Sequence, residues 1–304
     1  MSSWSSGARR SSTSPFVRRV NCPASREGVA INIVAISMEL GSEGREVGRR
    51  VAEVLAYRLI EREVLLEAAE KYAVKEETLA QVDERTLSFW EKFDEDKRRY
   101  RIFIESALLS FARDGGVVIA GRGAPLLLKE IDHALKVRIV APLEVRVERM
   151  MTREGFDHRS ATMRIRGHDK EQAARFNYLF GVDWTLPEHY DLVVNTGRGS
   201  LGTAADLIVQ AAKMSLYQPT NASRQKIRDM TLASEVRAAL AADPVVGSLH
   251  IEVSAHSGAL TLKGVVFDPA TMEAAAAVAK RLEGVLSVDC EVVEVPRIYP
   301  GPMM

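Results

Sequence analysis

VAINIVAISMELGSEGREVGRRVAEVL, residues Val29–Leu55, decides the fold. The run from Val29 to Ile36 is apolar but for Asn32, as in a strand buried on both faces of a parallel sheet. A loop with Gly41 and Gly44 follows, then a helix with Val47, Val51, Val54 and Leu55 on one face, at i, i+4, i+7 and i+8. Strand, glycine-bearing turn and helix N-terminus form the layout of a phosphate-binding loop. Set against the pattern GxxxxGK[ST], only the second glycine, Gly44, is kept. Glu39 stands at the first glycine, Arg45 at the lysine and Glu46 at the hydroxyl residue. Arg45 remains a cation suited to bridging phosphate oxygens. The residue replaced by Glu46 ordinarily gives Mg²⁺ a hydroxyl ligand, and a carboxylate ligates that ion directly. Glu43 adds negative charge beside the expected phosphate site, which Mg²⁺ or an arginine must offset.

Outward from this loop, apolar runs alternate with helical stretches. GVVIAG (Gly116–Gly121), LKVRIVA (Leu135–Ala141) and YDLVVNT (Tyr190–Thr196) read as further strands, and Leu201–Lys213 as the closing helix. The stretch 56–101 reads as charged helix, and the segment from Arg153 to Arg175 is basic. This rhythm predicts an α/β fold, a parallel sheet flanked by helices. Ser215–Gln225 has no periodicity and reads as linker. Beyond it the pattern changes. Ser234–Ala242 is a short helix. LHIEVSA and GALTLKGVV alternate polar and apolar around Ser257-Gly258, a hairpin signal. Asp268 caps an Ala-rich helix begun by Pro269, and LSVDCEVVEV closes a small α+β module. The expected divisions are a Ser/Arg-rich tail (1–28), the α/β domain (29–214), a linker (215–227), the module (228–296) and a tail (297–304).

Composition narrows the function. Forty-one basic residues balance 41 acidic ones, for a formal charge of +0, so no specific nucleic acid is expected as a partner. The two cysteines, Cys22 and Cys290, form neither a metal spacing nor a disulfide framework, which suits a reducing cytoplasm. No apolar run reaches membrane-spanning length.

The ordered motifs resemble the cytidylate kinase-like family of nucleoside monophosphate kinases, which carry loops of the type S-R-x-x-G-S-G-G-R-E. Ser37, Gly41, Ser42, Gly44, Arg45 and Glu46 match in register, so the lysine-free loop is a family trait; Met38 and Glu43 depart, standing for Arg and Gly. VVIAGRGAPLLL is similar to the family segment V-x-x-G-R-D-x-G-T-V, with Gly121 and Arg122 kept and Gly123 in place of Asp. LKVRIVAPLEVRVERMMTREGF, HDKEQAARFNYLFGVDW and YDLVVNTG continue the likeness, with Glu171-Gln172 where the family has Glu-Arg. The resemblance implies a P-loop kinase-like fold, ATP and Mg²⁺ as cofactors, and CMP, dCMP or a related small acceptor as substrate. It implies donor-phosphate contacts from Gly41 to Glu46, with Arg45 catalytic. It places Arg122 on the acceptor phosphate, and Arg153, Arg159, Arg164, Arg166 and Arg175 in a closing lid. Asp169 orients an arginine or touches the sugar, and Asn195 and Thr196 meet the donor base. Trp184 reads as packing. The module resembles a BON domain through Gly258–Val266 and Gly284, Val285 and Val288, implying a protein or phospholipid partner. The alternative is a nucleotide-binding regulatory protein with weak or no turnover, whose module relays to that partner.

Overall fold

The computed structural model describes residues 32–72, 94–266 and 269–294. Both expected tails and the Asp268 cap lie outside these.

Five parallel strands form the main sheet: β1 (Ile33–Met38), β2 (Arg58–Ile60), β3 (Val117–Ala120), β4 (Ala134–Val140) and β5 (Leu192–Asn195), in the order β2-β3-β1-β4-β5. Each apolar run is divided by the two-residue pleat. Ile33 and Ala35 face one cluster together with Val117 and Ile119. Val34 and Ile36 face another with Val118 and Val137. The first layer holds α2 (Glu63–Lys71), α3 (Asp94–Arg113) and the short α4 (Ala124–Leu127). The second holds α1 (Gly44–Leu55) and α7 (Leu201–Ala212). The chain leaves β1 toward one edge and crosses to the other between β3 and β4. Such a switch point opens a ligand crevice at the carboxyl ends of the strands. Two helices follow β4 beside that crevice, α5 (Leu143–Glu154) and α6 (His158–Phe180). Asp157 caps α6, accepting from the Ser160 amide, and left-handed Gly181 ends it.

Three expectations change. Part of the stretch read as helix is β2, a three-residue strand at the sheet edge. On α1 the buried face is Val47, Gly48, Val51 and Ala52, while Val54 is exposed. The helix expected from Ser234 begins at Asn221. After the 3₁₀ turn Ser215–Tyr217, the chain enters α8 (Asn221–Ala242), which runs through the later part of the segment read as linker.

The C-terminal sheet has the order β6-β7-β8, with β6 (Ile251–His256) antiparallel to β7 (Ala259–Val266) and β7 parallel to β8 (Ser287–Glu294). At the hairpin, Ser257 and Gly258 have φ of 49° and 86°, both positive, as a tight type I′ turn requires. α9 (Pro269–Ala279) makes the crossover. Val236 and Leu240 of α8 pack with Leu260, Leu262 and Met272 to form the module's core. Among the described residues, no helix is long and apolar enough to cross a membrane.

Candidate active site

The turn after β1 is fixed from within. Ser42 is buried, and its amide and hydroxyl both donate to the Glu39 carbonyl, at 3.1 and 2.7 Å. Gly41 has φ of 79°, and a Cβ there meets the backbone of Arg146 at 3.2 Å. Gly44 begins α1 with no side-chain cap on the helix end. A Cβ at Gly44 falls 2.5 Å from Met38 Cβ. Gly44 is therefore required by packing, and Gly41 suits its positive φ and its close approach to Arg146, whatever the loop holds.

Helix α5 supplies the cations that brace the turn. Arg146, Arg149 and Arg153, at i, i+3 and i+7, share one side of it. Arg146 donates to the Leu40 carbonyl at 3.3 Å and forks onto Asp169 at 3.0 and 2.9 Å. Arg149 donates to the Gly41 carbonyl at 3.3 Å, to the Thr196 hydroxyl at 3.1 Å and to the Thr196 carbonyl at 2.7 Å. The buried Thr196 hydroxyl in turn donates to the Ser42 carbonyl at 2.7 Å. Glu43 lies between two guanidinium groups, Arg149 at 3.2 Å and Arg153 in a shorter contact. Arg153 also reaches Glu46 at 3.4 Å. The charge that Glu43 brings to the loop is thus balanced by arginines of the protein itself. Glu39 is engaged as well: it accepts from Arg138 at 3.0 Å and from the Ala141 amide at 3.2 Å. Arg138 is buried on the Trp184 ring, 4.2 Å from its centroid, and Trp184 stacks on Phe176 at 5.2 Å between centroids. Trp184 is packing, as its sequence context suggested.

A cleft of about 870 Å³ opens beside the turn. Gly41, Gly44, Arg45, Glu46, Gly121, Arg122, Arg153 and Arg175 all line it, from four separate parts of the chain. Arg45 is exposed and paired with Glu61 at 2.9 Å. Arg122 sits in a turn of three left-handed residues, Gly121 to Gly123, with φ of 86°, 55° and 72°. A Cβ at Gly123 lies 2.7 Å from the Phe180 ring, which accounts for glycine at that position. The Arg122 guanidinium is lowered to about 10, first by burial, then by the like charges of Arg175, Arg45 and Arg62, with Glu61 opposing. It stays cationic at neutral pH, and an anion in the cleft relieves the repulsion around it.

Other candidates lie elsewhere. Arg159, Arg164 and Arg166 are exposed on α6 and do not line the cleft; Arg164 covers the Phe156 ring. Asp169 orients Arg146. Asn195 accepts from the Gly197 amide at 2.8 Å and borders a shallower hollow with Glu39 and Arg138. Thr196 serves the loop. Sequence reading passed over Arg146 and Arg149, and also Tyr100 on the cleft wall, which His168, read from the sequence as surface, and Gln172 line too. The i, i+3, i+7 spacing along α5 was the available signal for the arginines. His168 keeps an exposed side, and partial desolvation lowers its pKa, with Asp169 opposing and Arg175 adding to it.

The arrangement suits a polyphosphate: an uncapped helix end beside a cleft lined with arginines. For Mg²⁺ it offers the Glu46 carboxylate; among the described residues no three His, Cys, Asp or Glu converge on one point. One carboxylate is sufficient where substrate phosphates complete the shell.

Residues 33–198 match the cytidylate kinase-like family, and residues 228–296 match the BON domain. The cytidylate kinase of Methanopyrus kandleri is 36% identical over 122 residues, 38% of this chain and 63% of that protein. That of Thermococcus sibiricus is 38% identical over 115 residues, 38% of this chain and 58% of its own length. The chain thus spans about three fifths of the length of these two relatives. That of Ignicoccus hospitalis is 32% identical over 168 residues, 55% of this chain and 90% of that protein. Among solved structures, an uncharacterized protein from Eubacterium ventriosum aligns with a TM-score of 0.48 at 23% identity, covering 60% of this chain and 98% of that one. Shikimate kinase from Acinetobacter baumannii aligns with a TM-score of 0.35 at 16% identity, covering 60% and 92%.

Proposed function

The chain belongs to the cytidylate kinase-like family, and on that premise we propose that it transfers a phosphoryl group from ATP to a nucleoside monophosphate, CMP or dCMP first. The observation that carries this reading is the convergence of Arg122, Arg175 and Arg45 with the α1 end on one cleft. An acceptor phosphate oxygen attacks the terminal phosphorus of ATP, the bond to the bridging oxygen breaks, and ADP leaves. Such a transfer needs alignment and charge neutralisation more than covalent help from the protein. The turn and the end of α1 hold the donor phosphates. Arg122, on its rigid left-handed turn, holds the acceptor phosphate, and Arg45 and Arg175 steady charge on the group in transit. Glu46, together with the phosphates, would hold Mg²⁺, which would supply neutralisation of donor charge. Phe176 and Phe180 form an apolar wall that excludes water.

A second reading, nucleotide binding without turnover, is favoured by one observation: Glu43 holds two arginines beside the turn. A coupled ADP-release assay with ATP, Mg²⁺ and each of CMP, dCMP, UMP, AMP and GMP separates the two. The first reading expects acceptor-dependent turnover that Arg122→Ala lowers by about 10³-fold or more. Nucleotide binding by calorimetry with no turnover on any acceptor supports the second and rejects the first.

A further inference from the structure

Helix α3 has two working faces. Tyr100, Arg101 and Ile104 line the cleft. Arg98, Glu105 and Leu109, at i, i+7 and i+11, form a separate row along the helix, with Arg101 next to it at i+3 from Arg98. From that row, polar contacts run to the C-terminal part of the chain. Arg98 donates to the Leu249 carbonyl at 3.2 Å and to the Gly247 carbonyl in a shorter contact, both in the turn before β6. Glu105 pairs with Arg237 of α8 at 2.9 Å. The Leu109 carbonyl lies 3.3 Å from the Thr231 hydroxyl, sharing with the nearer Ile227 carbonyl, at 2.7 Å, the one proton that hydroxyl donates. The neighbouring α2, which contributes Leu65 to the cleft, is tied to the same helix through Lys71 and Glu235 at 2.6 Å. α8 itself belongs to two cores: Ile227, Ala238 and Ala241 pack under α2 and α3, while Val236 and Leu240 pack inside the module.

We propose that the C-terminal module is an internal clamp on one wall of the cleft, with Arg98 and Glu105 as the positioning residues that pass its hold to Tyr100, Arg101 and Ile104. This rests on the kinase reading proposed above, and takes that wall, which lines the same cleft as Arg122, as the acceptor side. The turn that faces ATP is braced separately, by α5 and Thr196. Loosening the clamp therefore acts on the acceptor and leaves the donor alone. Occupancy of the module by any partner that shifts α8 or the turn at Gly247 changes acceptor affinity in the same way, since both sites bias one element.

The test uses the full chain with Arg98→Ala, Glu105→Lys, and the exchanged pair Glu105→Lys with Arg237→Glu. In the ADP-release assay, each of the first two should raise acceptor KM on the order of tenfold, the size of coupling between groups in direct contact. ATP KM and kcat should stay within about twofold, and the exchanged pair should recover the parent acceptor KM. Equal rises in both KM values, or no change, overturn the clamp. Hydrogen exchange gives a readout free of catalysis: amides of residues 100–104 should open faster in Arg98→Ala than in the parent. Unchanged exchange there overturns the clamp whatever the assay shows. Should the parent lack turnover on every acceptor, the kinase reading fails, and exchange alone decides the mechanical claim. Arg98→Ala removes hydrogen bonds without placing like charges together, so it serves if Glu105→Lys does not fold.

Discussion

Glu43 combines two costs that proteins usually keep apart. Its φ of 62° puts a side-chain-bearing residue in the left-handed region, at about 1–2 kcal/mol. Its carboxylate also sits beside a turn suited to anions. The pairing with Arg149 and Arg153 explains why both persist: the glutamate holds two arginines on α5 against the loop. Glu43→Gln keeps the side-chain length and removes the charge. It should tighten ATP binding by about tenfold, roughly 1.4 kcal/mol, in a calorimetric titration; weaker binding would show that the charge organises those arginines productively. At this scale part of the candidate site was legible: strand-turn-helix layout marks Gly44, Arg45 and Glu46 locally, the family resemblance marks Arg122, and all four line one cleft. Arg146 and Arg149 were not, because arginines spaced along a helix look the same in sequence whether they face water or a loop. The Glu39–Arg138 pair was equally hidden, since its partners lie 99 positions apart and only the strand register brings them together.

Helices and strands succeed or fail as units according to how they bury themselves. β1, β3 and β4 were plain, because strands covered on both faces are mostly apolar, even with Lys136 and Arg138 in β4. β2 was lost: three residues at a sheet edge, the first exposed, carry too little pattern to register. α8 was read as two pieces because several of its buried positions are small or polar. Thr231 and Ser234 are buried, yet each donates its hydroxyl to a carbonyl of the same helix, at 2.7 Å in both cases. A helix satisfied in this way can be covered on several sides with no apolar stripe in its sequence. α1 makes its own demand on β1. Gly44→Ala forces the new methyl against Met38 and displaces the helix end from the strand. A loss of about 1–3 kcal/mol is expected, typical of an overpacked site, measured as a lower urea midpoint. An unchanged midpoint would show that the turn yields without cost.

Across the whole molecule the stability should depend on pH through buried imidazole. His133 is buried at the entry to β4. Its pKa is held below the ordinary 6.5 by burial and by the charges of Arg224 and Lys136, with Asp132 pulling the other way. The unfolded chain therefore takes up a proton near 6.5 that the folded chain refuses until lower pH. Its contribution is complete above that value and is lost as pH falls toward the folded pKa. Urea midpoints should fall from about pH 7 to pH 5, less steeply in His133→Asn. Equal slopes would remove His133 from the account. A further consequence follows from α8 and its place in two cores. Phe103, Leu108 and Leu109 pack in the cluster that Ile227, Ala238 and Ala241 complete, and those later residues come more than a hundred positions along the chain. At roughly 5–20 residues per second, a ribosome leaves that surface uncovered for many seconds after α3 has emerged. Translation speed over that interval, and any chaperone that shields the nascent chain, therefore bear on how much protein reaches its native state.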